Sequence, residues 1–494
     1  ASRVAAGLPM AAPLPIELHG QSLTYPRNAW VIDDAVVPAS FLGLVDLYGL
    51  IGRVLGRGAI LFLTPVFSAL AIIALYGLVD RIWSRRVALL SACLLAIQPV
   101  FWYYSARGMF HNVLFFDLII IGAWALSLAV DWSHGRHWRR PAGLGLYLVA
   151  GLSIGQALAV RTAEIGWVAL LLLSALWLMR RRLDLRYGLW IGIVGLCVPM
   201  AILFAHNAEV FGSPTSFGYS RGLAESAVSQ GWSSALVNLV LPFGLDVVQA
   251  ATNVWKFGVV LTWWISVPVI IGFVLAYPRP STSSARRAYW WMFLALAVWL
   301  AAYYGSWTLH DEPNPDAITI GTSYTRYWLP IYVLGLPFAA LCLERLLTVK
   351  RHGRRWLGGA AAAILAVSMT WLSVDLVIAD EVQGLAVIRQ HGVNYSQLAN
   401  EVAHQTPPNA VIISGRGDKF LFPERSVIYA VENRDDVRTV VQLMTRVPMY
   451  VYVSPVESRD EVKRFWDDQK LELTSEQRLS DDGRLYRLEI PTND

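Results

Sequence analysis

The chain has 494 residues, 55% of them hydrophobic and 16% charged, against about 25% charged in an average soluble domain, which excludes an ordinary soluble enzyme. Its net charge of +5 is too small to argue for nucleic acid, and the excess lies between apolar segments, so nucleic acid is set aside as a partner. The three cysteines, Cys93, Cys197 and Cys342, all sit inside apolar runs, and no disulfide framework can be read from them.

The chain opens on Ala1 without a charged region leading into an apolar one, and reads as trimmed or processed at its start. Residues 1–56 mix Pro, Trp and Tyr and end in a moderately apolar stretch, Phe41 to Leu55, which is too short to span a bilayer and is expected to form an interfacial helix. A transmembrane helix needs about 20 mostly apolar residues. Ten stretches qualify: 58–79, 87–104, 110–130, 143–160, 164–179, 187–206, 257–277, 288–307, 327–347 and 356–378. The long segments 207–256 and 308–326 interrupt this series, the first with an amphipathic stretch near Trp232 to Ala251.

Orientation follows from the arginines, because basic residues in short loops resist translocation. Alternate loops hold Arg81, Arg85 and Arg86; Arg136, Arg139 and Arg140; Arg180, Arg181, Arg182 and Arg186; Arg279, Arg286 and Arg287; and Arg345, Lys350, Arg351, Arg354 and Arg355. These are 18 of the 27 basic residues before residue 380. Assigning them to the cytoplasm places 1–56, 207–256, 308–326 and the tail on the opposite, extracytoplasmic face. From residue 380 the character changes, with 33 of 115 residues charged. Helix 395–405, strands 409–414 and 426–431, helix 434–445, strand 448–454, helix 457–469 and strand 485–490 describe a small α/β domain. The division expected is 1–56 as a first loop, 57–379 as the bundle and 380–494 as the soluble domain.

Polar groups close to a bilayer are costly and point to function. Those away from the arginine-rich side are Asp33 and Asp34; Arg107, His111 and Asn112; Arg161 and Glu164; Asn207 and Glu209; and His310, Asp311, Glu312, Asp316, Tyr324 and Arg326. Carboxylates among arginines at the mouth of a bundle could hold an anionic headgroup and activate a hydroxyl. His310, Asp311 and Glu312 with Asp33 could ligate a divalent metal ion, although a solvated acidic loop between prolines accounts for the first three better. Asp117 lies within a helix and is expected to hydrogen-bond inside the bundle.

The run from Arg86 through Pro99-Val-Phe-Trp-Tyr-Tyr-Ser-Ala-Arg107 resembles the hairpin of GT-C-fold glycosyltransferases related to the protein O-mannosyltransferases and aminoarabinose transferases, glycosyltransferase family 39-like. So do Arg161-Thr162, His206-Asn207, Phe211-Gly-Ser-Pro214, Gly218-Tyr219 and Arg326-Tyr327-Trp-Leu-Pro330. The resemblance implies a polytopic α-helical bundle that inverts a sugar's anomeric centre. The sugar would move from a polyprenyl-phosphate carrier to a glycan, lipid or protein acceptor on the outer side. It further implies a carboxylate from the first outer loop as base, here Asp33 or Asp34, and Arg161, Arg326 and Arg107 as phosphate ligands. His111, Glu164, Asn207, Asp311, Glu312 and Tyr324 are further candidates for the outer cavity. The first loop carries no Asp-Glu pair, which keeps open a catalytically inactive structural subunit of a larger membrane assembly; a lipid or solute transporter is a third reading. An outer tail without cysteine fits a bacterial inner membrane.

Overall fold

A computed structural model describes residues 1–133, 140–219, 244–309, 317–348 and 355–491. The chain divides into two compact units, one formed by Ala1–Gly7, Leu42–His206 and Leu223–Val387, the other by Leu8–Phe41, Asn207–Gly222 and Ile388–Asp494.

The first unit is helical. After α1 (Gly43–Leu55), the helix expected near the end of the first segment, come α2 (Ile60–Ile82), α3 (Arg85–Ile97), α4 (Pro99–Arg107), α5 (His111–Ser133), α6 (Arg140–Val160), α7 (Ile165–Met179) and α8 (Gly188–Phe211). They are followed by α9 (Val247–Asn253), α10 (Trp263–Leu275), α11 (Ser284–Gly305), α12 (Ser323–Tyr327), α13 (Leu329–Leu347) and α14 (Arg355–Val374). Among the described residues, eight helices are long and apolar enough to cross a membrane, and two bent pairs bring the number to ten. The chain is an integral membrane protein.

Two expected straight helices are broken. The stretch 87–104 is α3 and α4, meeting at 54°. Pro99 pushes the preceding residue out of the helical region, and Gln98 is extended at φ −66°, ψ 118°. Its side chain then caps the new helix, accepting the Phe101 amide at 2.7 Å. The stretch 257–277 starts as π-helix over Val254–Val260, continuous with α9, and turns by 104° into α10. At that break the Ser266 hydroxyl donates to the Gly258 carbonyl at 2.7 Å, so a backbone acceptor freed by the turn stays satisfied in an apolar setting. Most of the stretch Trp232 to Ala251 lies outside the described residues; from Val247 it is helical.

Close backbone approach holds α6 to α8. An added Cβ on Gly151 would lie 2.0 Å from the Gly192 carbonyl oxygen, and one on Gly155 would lie 2.3 Å from that of Leu196. The four-residue spacing of small residues lets two membrane helices pack along their backbones, where apolar side chains alone supply little preference over lipid.

The second unit has two sheets. Strands β1 (Ala12–Pro13), β2 (Ala29–Ile32) and β3 (Ala35–Pro38) pair antiparallel in the order β1-β3-β2. The sequence reading left residues 12–38 without strands, because β1 and β3 are short and each carries a proline. The larger sheet contains β4 (Val411–Ile413), β5 (Ser426–Ile428), β6 (Met449–Val453), β7 (Glu472–Arg478) and β8 (Arg484–Glu489), in the order β5-β4-β6-β8-β7. β4 runs parallel to β5 and β6, while β8 is antiparallel to β6 and β7. Helices α15 (Leu385–Gln405), α16 (Arg434–Met444) and α17 (Arg459–Asp468) complete it. The expected helices and strands of the tail are present; β7, an exposed and polar edge strand, had no apolar alternation to announce it.

The two sheets share one core, in which Leu14, Leu18 and Val36 pack with Val411, Val440 and Trp466. Arg27 reinforces the join: its backbone amide donates to Asp418 Oδ2 at 2.7 Å and its guanidinium to Oδ1 at 2.8 and 3.0 Å, with the Asp418 side chain fully buried.

Replacing Gly155 with Val should force α6 and α8 apart and lower the stability of the full chain by about 1–3 kcal/mol, as overpacked interiors do. Thermal unfolding of the detergent-solubilised protein reads this, and an unchanged midpoint would refute the close approach.

Candidate functional site

The first unit contains a buried polar cluster where α6 gives way to α7. Arg161 follows the last residue of α6, with its side chain 11% exposed. A single turn of tight helix over Thr162–Glu164 then brings Glu164 back beneath it. The guanidinium donates to Glu164 Oε1 from Nε at 3.1 Å and from a terminal nitrogen at 2.6 Å. Its other donors reach Asn112 Oδ1 on α5 at 3.2 Å and the Tyr304 hydroxyl on α11 at 3.1 Å. Glu164 is filled from the other side by Trp167 Nε1 at 2.5 Å on Oε2 and by the Tyr304 hydroxyl on Oε1. Desolvation opposes the charge on Arg161, yet Tyr304, Glu164 and Tyr327 outweigh it and raise its pKa.

Aromatic rings wall this cluster. Tyr304 stacks on Tyr327 with centroids 4.4 Å apart and planes 5° from parallel. The Tyr327 ring lies 5.3 Å from the guanidinium carbon of Arg161 and 5.3 Å from that of Arg326, a separation at which cation–π attraction operates. One tyrosine ring therefore joins the two arginines expected to bind phosphate. Arg326, in α12, donates to Ser323 Oγ at 2.5 Å, and its Nε is buried with no hydrogen-bond partner among the described residues. A buried cationic donor without an acceptor is a place where an anion gains.

The remaining candidates fall into three groups. Arg107 is exposed at the end of α4, donates to the Tyr103 hydroxyl at 2.9 Å and covers the rings of Tyr103 and Phe110. The Tyr104 hydroxyl beside them is tied to the 320–325 turn through Thr322 and Thr325. His111 opens α5, half-buried. The Tyr324 hydroxyl donates to the Trp307 carbonyl and its ring stacks on Phe257, so it braces the turn that carries Arg326. Asp33, Asp34 and Asn207 belong to the second unit. Asn207 donates to the Pro214 carbonyl at 3.1 Å and its Oδ1 is buried without a partner among the described residues. Asp311 and Glu312, with His310 and Asp316, lie outside the described residues. Among the described residues no three His, Cys, Asp or Glu side chains converge to hold a metal ion.

Asp33 and Asp34 form the two-residue turn between β2 and β3, with Ile32 paired to Ala35. Both have positive φ, 48° and 56°, as that hairpin turn requires. Asp34 accepts the Gly20 amide at 2.7 Å and lies 3.8 Å from His19 Nδ1, whereas Asp33 is exposed and makes no hydrogen bond among the described residues. Asp117 is fully buried and accepts from Ser68 Oγ at 2.7 Å, the hydrogen bond expected of it.

Tyr304 and Trp167 do not stand out in the sequence, and Tyr327 does so only within Arg326-Tyr327-Trp-Leu-Pro330. Their signal was drowned by the aromatic content of the chain, since 21 Trp and 20 Tyr read as interface belts in any polytopic protein.

Comparison with known proteins agrees with the architecture. A family model for dolichyl-phosphate-mannose-protein mannosyltransferases matches residues 47–205, about a third of the chain. The apo oligosaccharyltransferase of Archaeoglobus fulgidus superposes with a TM-score of 0.51 at 14% identity, over 92% of this chain and 64% of that one, so the chain spans less than two thirds of that enzyme's length. ArnT from Cupriavidus metallidurans in the apo state superposes with a TM-score of 0.50 at 11% identity, over 98% of this chain and 95% of that one. The same ArnT bound to undecaprenyl phosphate gives 0.49 at 10% identity, over 98% and 95%. No curated protein sequence matches the chain. The fold is that of the GT-C membrane glycosyltransferases.

Removing one partner of a buried ion pair leaves the other charge uncompensated. Glu164→Ala should therefore destabilise the chain by about 3 kcal/mol, read by chemical unfolding in detergent, whereas Glu164→Gln, which keeps an acceptor for Arg161, should lose clearly less. Equal losses would show that the charge is not what matters.

Proposed function

We propose that this protein is an integral-membrane glycosyltransferase that moves a sugar from a polyprenyl-phosphate donor to a glycan, lipid or protein acceptor on the extracytoplasmic side, with inversion at the anomeric carbon. The observation that carries the reading is the pair Arg161 and Arg326 on the Tyr327 ring, with a buried Arg326 donor left over, in a bundle of GT-C fold. Glu164 neutralises one of the two charges and the cluster keeps a net charge of +1. An anionic lipid phosphate is the complement of that arrangement.

In the reaction, an acceptor oxygen forms a bond to the anomeric carbon as the bond from that carbon to the phosphate oxygen breaks. The acceptor's proton passes to a carboxylate. The departing polyprenyl phosphate takes the bonding electron pair and gains one negative charge, which Arg326 and Arg161 stabilise through hydrogen bonds that strengthen as charge grows. Glu164, Asn112 and Tyr304 are positioning residues that hold the Arg161 guanidinium in one plane. Arg107 assists from the end of α4. Asp33 is assigned the proton because Asp34 is already engaged by Gly20. The arginine distribution among the loops supports the extracytoplasmic placement, and the cysteine-free tail supports a plasma membrane of bacterial type.

The engagement of Asp34 by Gly20, which leaves a single unengaged aspartate in the first-segment hairpin, favours a second reading, a structural subunit without transfer activity. Transfer assays separate the two. Arg326→Ala should lower the rate about 100-fold or more, the loss seen when one donor to a developing charge is removed, and weaken polyprenyl-phosphate binding while unfolding stays unchanged. Asp33→Asn should lower the rate about 100-fold or more with lipid binding intact. Wild-type rates in both variants would overturn the residue assignments, and no transfer by the unaltered chain with polyprenyl-phosphate sugars would favour the structural subunit.

A further inference from the structure

The first unit encloses a second feature that the transfer reaction does not use. An elongated apolar slot of about 790 Å³ lies between α5, α7 and α11. Its wall runs from Trp167 to Met179 on α7, from Phe116 to Asp131 on α5 and from Ser284 to Leu296 on α11. At 1.5 Å of rise per residue these stripes are about 18, 22 and 18 Å long, more than half of a hydrocarbon core of roughly 30 Å. A void of that shape, parallel to the helices and lined by Ile120, Leu171, Ala175 and Ala288, fits extended hydrocarbon chains.

One end of the slot is charged, and its charge does not cancel. Arg81 and Arg182 donate to the two oxygens of Asp131, at 2.8 and 2.6 Å. Among the described residues they are the only charged ones lining the slot, two guanidiniums against one carboxylate, a net of +1. All three are partly or fully solvent-facing, with side-chain exposures of 32%, 68% and 36% for Arg81, Arg182 and Asp131. An acceptor arriving from outside can therefore share their donors. This end belongs to the arginine-rich loops, whereas Trp167, at the other end, hydrogen-bonds Glu164 of the polar cluster.

We infer that the slot is a binding site for an anionic phospholipid of the arginine-rich leaflet, its phosphate on Arg81 and Arg182 and an acyl chain along α7 and α5. Basic residues between membrane helices bind anionic headgroups in this way, and a chain buried in the slot gains contact that a void forfeits. The lipid would also brace α7, which begins directly after Glu164, and α11, which carries Tyr304.

The test is native mass spectrometry of the whole protein in detergent, titrated with phosphatidylglycerol, phosphatidylcholine or polyprenyl phosphate. Phosphatidylglycerol should bind at least tenfold more tightly than phosphatidylcholine. Arg81→Gln with Arg182→Gln should abolish that preference, the paired Lys variant should keep it, and Ala175→Phe should remove retained lipid by filling the slot. Equal binding of the two phospholipids, or an unaltered preference in the Gln variant, would overturn the inference. So would displacement of phosphatidylglycerol by polyprenyl phosphate in an Arg326→Ala background, because the slot would then belong to the donor's tail.

Discussion

The cluster at the junction of α6 and α7 depends on one constraint, a guanidinium that has to be buried without losing its charge. Arginine does not deprotonate at any accessible pH, so the burial of Arg161 has to be matched by acceptors. The match comes from four separate stretches of chain: Glu164 three residues on, Asn112 at the start of α5, Tyr304 near the end of α11, and the Tyr327 ring at the end of α12. Apolar side chains gain almost nothing from one another over lipid, so polar contacts of this kind carry much of what fixes the rotation of these helices. The polar cluster therefore sets the register of the bundle end as well as its charge.

Arg326 differs from Arg161 in one respect that separates a structural cation from a binding one. Among the described residues it has no carboxylate partner; it has the Ser323 hydroxyl, the face of Tyr327 and an unused Nε. The carboxylate beside Arg161 makes that residue a poor sole ligand for phosphate, because an incoming anion would face Glu164 as well. The pair works only together, with Arg161 held rigid and Arg326 supplying the uncompensated charge. The same arithmetic of two arginines and one acid recurs at Arg81, Arg182 and Asp131.

What could be read from the sequence followed from the two strongest signals, hydropathy and the placement of arginine. The spans were found because twenty apolar residues have few other fates, and the tail was found because its apolar residues alternate at strand and helix periods. The breaks were not. Pro99 could have been tolerated inside a helix, as Pro65, Pro199, Pro268 and Pro337 are; that Gln98 would turn its side chain into a cap depends on contacts that no local pattern encodes. Arg161 and Arg326 stood out because charge near lipid is rare. Tyr304 did not, nor did Tyr327 outside its motif, since an aromatic residue near an interface is ordinary and only the fold shows the two rings stacked.

The first-segment aspartates show how a residue type can carry two meanings at once. Asp-Asp between two β-rich tetrapeptides is a turn signal, because a two-residue hairpin needs positive φ at both positions and Asp tolerates it better than most side chains. The turn uses the backbone of both residues and the carboxylate of only one. Asp34 is drawn into the amide of Gly20, while Asp33 projects from the tip with its carboxylate unspent. A hairpin tip is a rigid way to present a carboxylate, since the paired strands fix its backbone and leave only the two side-chain torsions to be ordered. The turn and the proton acceptor are thus compatible roles for Asp33, and it is the hydrogen bond from Gly20, not the turn geometry, that counts against Asp34.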